Sequence, residues 1–274
     1  MLKGGFVLGI DWMRYLKFLG LGFVILGQQA VANPLVLTDS DSWRYHGSLA
    51  LFAATSTTGT VTVDGSAADV DLDLGDALDY LDLTATGRFE AWRGNFGLIA
   101  EGHYIGLSES ATATEGGFAG NSVEVESTQA WLSLMAGYRL ALGSFANGRP
   151  YAFDVQGGAR YNRLTQSIVG SGGALDAGGT ERWWEPVVAT RFTWGLADGW
   201  DGAFVVDASG FGANGNDLAW SATLGVARRF NDRSSLVFGW RHYDIDFQTS
   251  RAGGPFGADL SSSGPFIGYA HTFN

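Results

Sequence analysis

After residue 32 the apolar side chains of this chain recur at every second position, and no stretch there is uniformly apolar for the length of a membrane-crossing helix. Period two is the signature of extended chain with one face unlike the other. In the first such segment Trp43, Tyr45, Gly47, Leu49, Leu51 and Ala53 oppose Arg44, His46, Ser48, Ala50 and Phe52. In the second, Leu81, Leu83, Ala85, Gly87, Phe89 and Ala91 oppose Asp82, Thr84, Thr86, Arg88 and Glu90. The scheme returns near residues 96–104, 129–139, 153–162, 184–194, 204–208, 218–229, 235–247 and 267–273, giving ten expected strands. The phase slips between Trp240 and Tyr243, which reads as a β-bulge. Pro186 falls inside the sixth segment and removes a ladder hydrogen bond unless a rim position or a bulge absorbs it.

Such alternation serves a soluble β-sandwich or a lipocalin-like barrel as well as a membrane barrel. Four features favour the membrane. Aromatics stand near strand ends on the apolar face (Trp43, Tyr104, Tyr138, Tyr161, Trp184, Trp194), as interfacial girdles require. The polar face carries both signs of charge on nearly every strand. The connections alternate: short turns near residues 93–95, 197–201 and 231–233 and a longer link over 141–149, against long polar loops over 55–79, 108–123, 165–180 and 248–257. The connection near 211–216 is the short exception, and the chain finishes on a strand with an aromatic almost at its end. With no helix available, a closed barrel is the remaining way to satisfy the backbone inside a bilayer. The expected fold is all-β, a ten-stranded antiparallel transmembrane β-barrel with its N- and C-termini in the periplasm, since short turns face that side.

The beginning of the chain agrees. Arg14 and Lys17 precede an apolar run over residues 18–27, followed by Gln28, Gln29, Ala30, Val31 and Ala32: a charged n-region, an h-region and an A-x-A cleavage site. Residues 1–32 are therefore expected to be a signal peptide, with Met13 as an alternative start, and residues 33–274 the barrel. The absence of cysteine excludes disulfides, thiolate metal sites and a lipid carried on cysteine. A net charge of -11 with no basic stripe excludes a nucleic-acid partner.

Several stretches resemble a broad, largely uncharacterised family of proteobacterial outer-membrane β-barrel proteins. They are Asp69-Val70-Asp71-Leu72-Asp73-Leu74 with Ala77-Leu78-Asp79-Tyr80-Leu81-Asp82 and Gly87-Arg88-Phe89-Glu90-Ala91; Gly157-Gly158-Ala159-Arg160-Tyr161; Asp207-Ala208-Ser209-Gly210-Phe211-Gly212; residues 236–247; and Ser263-Gly264-Pro265-Phe266-Ile267-Gly268. The resemblance implies a fold and a location, the cell outer membrane, and no substrate. The closing strand is similar to the signal read by the outer-membrane assembly machinery, with Ile267, Tyr269 and Phe273 as its residues, although Asn274 follows the aromatic. The implied partners are that machinery, outer-membrane lipid and lipopolysaccharide; sequence does not give the oligomeric state.

On the polar face stand Arg44, Arg88, Arg139, Arg160, Arg191, Arg229 and Arg241 with Glu90, Glu101, Asp154, Glu185 and Asp207. Enclosed charges are costly unless paired, and guanidinium pairs with carboxylate two-pronged, so these residues are expected to form an interior charge network closing a narrow lumen. The same residues would line a narrow passive channel for ions or small hydrophilic solutes if water passed between them. The histidines, His46, His103, His242 and His271, have no metal-binding spacing. His242 with Asp244 and Asp246 is the pairing that a lipid or peptide hydrolase at the rim would use, but no nucleophile motif accompanies it. The acidic run Asp64, Asp69, Asp71, Asp73, Asp76 and Asp79 lacks the EF-hand order and reads as a solvated strand extension followed by a turn. The expectation is therefore an integral outer-membrane protein with a structural or surface-contact role, with no catalytic residue, metal or cofactor.

Overall fold

The computed structural model describes residues 40–72, 84–170 and 176–273. The expected signal peptide, the acidic stretch 73–83 with its turn, and Asn274 lie outside the described residues. The rest is all-β.

Twelve strands are described: β1 (Arg44–Phe52), β2 (Ser56–Val63), β3 (Ser66–Leu72), β4 (Ala85–Arg93), β5 (Phe96–Glu115), β6 (Ser122–Ser144), β7 (Pro150–Gly170), β8 (Asp176–Ala197), β9 (Trp200–Ala213), β10 (Asn216–Arg229), β11 (Ser234–Arg251) and β12 (Gly254–Thr272). Every pairing is antiparallel. The ladders run from β1 to β4, on through β5 and each strand in turn to β12, and β12 pairs back onto β1. The ten strands of this circuit overlie the ten expected segments where these are described; residues 81–83 of the second lie outside the described residues.

β2 and β3 are additional, and over residues 56–72 they replace the long polar loop expected at 55–79, whose acidic run reads in sequence as a strand extension. The last part of β12 pairs with β1 and its first part with β2. β4 covers the lower half of β5, and β3 touches β5 again at Ala113 and Glu115. The hairpin thus continues the wall at the end far from Arg44 and Thr272, called here the distal end; the opposite end is proximal. Gly59 makes this possible, because a Cβ there would lie 2.0 Å from the Asp259 carbonyl oxygen of the neighbouring strand. Two further expected loops are also largely strand. The β5–β6 ladder continues to Thr112 and Ser122, and the β11–β12 ladder to Arg251 and Gly254. The β7–β8 ladder likewise reaches Val169 and Asp176, inside the third expected loop.

The physical reason is an inversion of polarity along each long strand. On β6 the outward positions from Leu132 to Leu142 are Leu132, Leu134, Ala136, Tyr138, Leu140 and Leu142, opposite interior Ser133 and Arg139. Beyond Ala130 the faces exchange character: Ser122, Glu124, Glu126 and Thr128 point outward, and Val123 and Val125 are fully buried. β7 behaves alike, with Tyr161 outward before the switch, Arg163 outward after it, and Leu164 and Ile168 inside. The outward apolar stretch of β6 covers eleven residues, the length a strand needs to cross a hydrocarbon layer. The whole strand, at 23 residues, has a contour of about 75 Å, roughly three times the ~25 Å apolar band of an outer-membrane barrel. The distal half of the wall stands outside that band, so its interior is a soluble-type apolar core and its outer face is polar.

The same inversion corrects the β-bulge expected between Trp240 and Tyr243. β11 pairs with β12 in unbroken register from Ser234 to Arg251, and with β10 without a shift until Leu218. Phe238, Trp240, His242, Asp244 and Asp246 all face outward, while Arg241, Tyr243, Ile245 and Phe247 face inward. What changes at residues 240–243 is which face is apolar, not the pairing. Pro186 needs no bulge either. It stands opposite Ala159 in unbroken register, immediately beyond the last β8–β9 pair, Val187 and Ser209.

Candidate functional site: the interior charge layer

The ladder sets interior residues of neighbouring strands side by side, and on β4 to β8 this produces a row of alternating charge. Arg88 stands opposite Glu101, Glu101 opposite Ser133, Ser133 opposite Arg160, and Arg160 opposite Glu185. A second row runs from Arg139 to Asp154 to Arg191. Lateral pairing follows in part from this register: Arg88 Nη1 donates to Glu101 at 2.5 Å, Arg139 Nε to Asp154 at 2.8 Å, and Arg191 Nη2 to Asp154 at 2.9 Å.

Other contacts cross the interior between strands that are not neighbours. Arg191 on β8 donates both terminal nitrogens to Glu90 on β4, at 2.6 and 2.9 Å. Arg88 on β4 reaches Gln156 on β7 at 2.8 Å. Arg160 on β7 reaches Asp207 on β9 at 2.7 Å, while its other nitrogens bond Ser133 and Ser209. Glu90 is the hub. It is 2% exposed and also accepts from Arg88 Nε and from the Trp92 indole N–H, each at 2.6 Å. Two-pronged, charge-assisted bonds of this kind are what make enclosed charge tolerable in a low-dielectric interior.

Of the twelve residues expected to form a network, the structure brings eight together: Arg88, Glu90, Glu101, Arg139, Asp154, Arg160, Arg191 and Asp207. Glu185 is buried on the distal side of the layer and accepts from Trp183 Nε1 and Asn216 Nδ2, both neutral donors. Arg229 stands at the proximal end, 3.3 Å from Asp201. Arg241 bonds the Ser221 hydroxyl at 3.3 Å, and Ser221 in turn donates to Asp207. Arg44 lies half-buried at the proximal rim and joins none of these pairs. The three assembly-signal residues, Ile267, Tyr269 and Phe273, are exposed, each about half.

Tryptophans inside the layer were not expected. Trp92 is 3% exposed and packs under the guanidinium groups of Arg139 and Arg191, whose carbons lie 4.9 and 5.6 Å from its ring. Gly97 and Gly137 leave it room: a Cβ on either would come within 3 Å of the indole. Trp131 stacks on His103 at 4.1 Å and on Tyr243 of β11 at 5.1 Å, beneath Arg160. Trp183 stacks on Phe247 at 3.9 Å. A usable signal existed in sequence, because Glu90–Trp92 and Trp183–Glu185 are spaced by two residues, which puts indole N–H and carboxylate on one face.

Three levels follow along the interior. Distally, Val61, Val70, Val125, Ile168, Ile245 and Phe256 belong to one buried apolar cluster. The same cluster includes Trp131, Tyr243, Trp183 and Phe247, and it meets the charge layer where Trp131 lies beneath Arg160. Proximally the layer borders a cavity of about 300 Å³ lined by Arg88, Glu90, Glu101, Arg191 and Arg241 on its charged side. The histidines separate accordingly: His46 and His103 are interior, while His242 faces outward, where it shares a hydrogen bond with Ser263 Oγ at 2.8 Å. Among the described residues no group of three potential metal ligands converges.

No protein-family profile and no curated protein matches the chain. Solved structures do match. The outer membrane protease OmpT of Escherichia coli aligns over 84% of this chain and 97% of its own, with a TM-score of 0.55 at 8% identity. The translocator domain of the autotransporter NalP of Neisseria meningitidis aligns over 85% and 89%, at a TM-score of 0.35 and 14% identity. A Pseudomonas aeruginosa FadL homologue aligns over 85% and 90%, at 0.34 and 9%. At such identities the likeness is one of fold. With its outward apolar belt and inward charge layer, the chain has the all-β fold of bacterial outer-membrane barrel-like proteins.

Proposed function

We propose that the protein is a ten-stranded closed barrel of the outer membrane, with both termini in the periplasm, that serves a structural or surface-contact role and does not conduct solute. The observation that carries this reading is the stacking of two unlike seals: a charge layer neutralised by cross-interior pairs, backed distally by a continuous apolar core. Small barrels fill with side chains, and only wider ones keep an aqueous path. The orientation is supported by the long polar distal wall, which would stand outside the cell. A non-catalytic role is part of the proposal. His242, Asp244 and Asp246 share an outward face beyond the apolar belt, with the histidine bonded to Ser263. The protease activity in the name of the Escherichia coli protein does not transfer on a likeness of fold.

Planar-bilayer recording of the refolded protein tests the proposal. Silence at varied voltage and salt is the expected result. Steady unitary openings would replace it with the narrow passive channel, the one alternative that the proximal cavity favours.

A further inference from the structure

The proximal cavity contains a cation that the charge layer leaves over. Five guanidinium groups stand at this level: Arg88, Arg139, Arg160, Arg191 and Arg241. The first four are each paired with a carboxylate, drawn from Glu90, Glu101, Asp154 and Asp207. Arg241 makes no ion pair among the described residues. Its guanidinium bonds the Ser221 hydroxyl, which links it to Asp207, and lies 6.0 Å from the Trp131 ring centre, while its Nε is buried without an acceptor. Of the remaining interior carboxylates, Glu185 is turned to Trp183 and Asn216, and Asp201 faces Arg229 at 3.3 Å. A buried guanidinium short of acceptors is costly.

The cavity wall around Arg241 is amphipathic. Beside the charged residues stand Ala203, Val205, Val237 and Phe266. The Phe266 ring lies against Gly225 and Gly239, where an added Cβ would meet it at 3.0 and 2.9 Å. The missing side chains let the ring flatten on the wall, so it lines the cavity. At about 300 Å³ the space is at the small end of the range typical of small-molecule sites.

We propose that this cavity is a binding site for a small organic monoanion, a carboxylate bearing a compact apolar group, with the carboxylate on Arg241 and the apolar part against Val205, Val237 and Phe266. The carboxylate supplies acceptors to the terminal nitrogens of Arg241, in the two-pronged geometry guanidinium favours. A doubly charged anion is selected against by Glu90, Glu101, Asp201, Asp207 and Asp232, which also line the cavity. The site goes beyond a closed structural barrel: it is a blind pocket reached from the proximal end only.

The test uses the full refolded chain in detergent micelles with 4-fluorobenzoate as probe, followed by ¹⁹F line broadening. 4-Fluorobenzyl alcohol and inorganic phosphate are the comparison probes. Saturable binding of the benzoate is expected, weakened by about tenfold or more in Arg241→Gln and for the neutral alcohol, with phosphate weaker than benzoate. Equal binding by Arg241→Gln, equal binding of the alcohol, or no benzoate binding up to about 10 mM each overturns the proposal. If Arg241→Gln does not regain the heat-modifiable gel mobility of the folded chain, Thr223→Trp serves instead. Thr223 lines the cavity opposite Arg241, so filling it removes binding if the site is real and leaves binding intact if the probe sits elsewhere.

Discussion

Replacing Glu90 by glutamine removes one charge and almost no volume from the most connected position in the interior. The carboxylate accepts four hydrogen bonds: two from Arg191, one from Arg88 and one from the Trp92 indole. A glutamine amide keeps one acceptor oxygen and turns an NH₂ toward surrounding donors, so at least one buried N–H loses its partner. Breaking a buried pair from one side costs about 3–5 kcal/mol. Both guanidinium groups keep a second carboxylate, Arg88 through Glu101 at 2.5 Å and Arg191 through Asp154 at 2.9 Å, which argues for the lower end, about 3 kcal/mol.

Urea unfolding of the refolded protein, followed by tryptophan fluorescence, measures this directly. The midpoint should fall with little change in slope. Adding Arg191→Gln to Glu90→Gln should cost less than the two single losses together, by about 1–2 kcal/mol, because the double variant no longer strands a charge. A loss below about 1 kcal/mol, or strict additivity, would refute the idea that cross-interior pairing holds the layer together.

Three further outcomes test neighbouring claims. Leu134→Arg, in the outward apolar stretch of β6, should lose about 2–4 kcal/mol of folding stability in lipid vesicles, whereas Thr128→Arg, outward on the same strand past the polarity switch, should lose almost none; equal costs would remove the boundary drawn here. Gly97→Val should destabilise by about 1–3 kcal/mol and shift tryptophan emission, since its Cβ would sit 2.6 Å from the Trp92 indole; an unshifted spectrum would count against that packing. At the distal outer face, Asp246 has its pKa raised by partial burial and by Asp259, Asp217 and Asp244. A raised carboxylate pKa favours the neutral form in the folded state, so the charge is unfavourable above the unfolded value and the penalty fades as pH falls. Asp246→Asn should therefore raise the unfolding midpoint at pH 8, with a gain that shrinks toward acid; a gain that grows on acidification would reverse the sign.

The expected strands were legible because alternation survives everything else about them. β6 alternates from end to end, and its register with β7 is broken once, between Arg139 and Ala141. What the pattern did not disclose is which face points inward, because period two is symmetric under exchange of faces. Val123 and Val125 alternate with Glu124 and Glu126 as regularly as Leu132 and Leu134 do with Ser133, yet they lie on the opposite side. A reading that keeps apolar residues on one face throughout must treat the distal segments as loops and the switch on β11 as a bulge. Both errors have this one cause. The β2–β3 hairpin was legible only in part: its outward residues, Asp69 and Asp71, carry the acidity that reads as a solvated strand extension, while Val61, Val63 and Val70 carry a burial that the polar loop composition concealed.

The charge layer was more legible than the wall around it, for the complementary reason. An arginine or carboxylate at an interior phase is unambiguous at any level, so eight of the twelve expected residues meet. The four that do not, Arg44, Glu185, Arg229 and Arg241, stand at the proximal rim, on the distal side of the layer, at the proximal mouth and on the cavity wall. Phase along a strand fixes the face, but partner choice across the interior depends on height and on how far the side chain reaches. Arg191 illustrates the point: its ladder neighbours on β7 and β9 are Asp154 and Val205, yet its strongest pairing is with Glu90, on a strand no ladder connects to it. Such a contact exists only once the circuit of strands brings β4 and β8 face to face, so it tests the closure of the wall as much as the chemistry of the layer. Loss of coupling between Glu90 and Arg191, with coupling between Arg139 and Asp154 retained, would mean an open sheet; coupling in both pairs requires the interior to be enclosed.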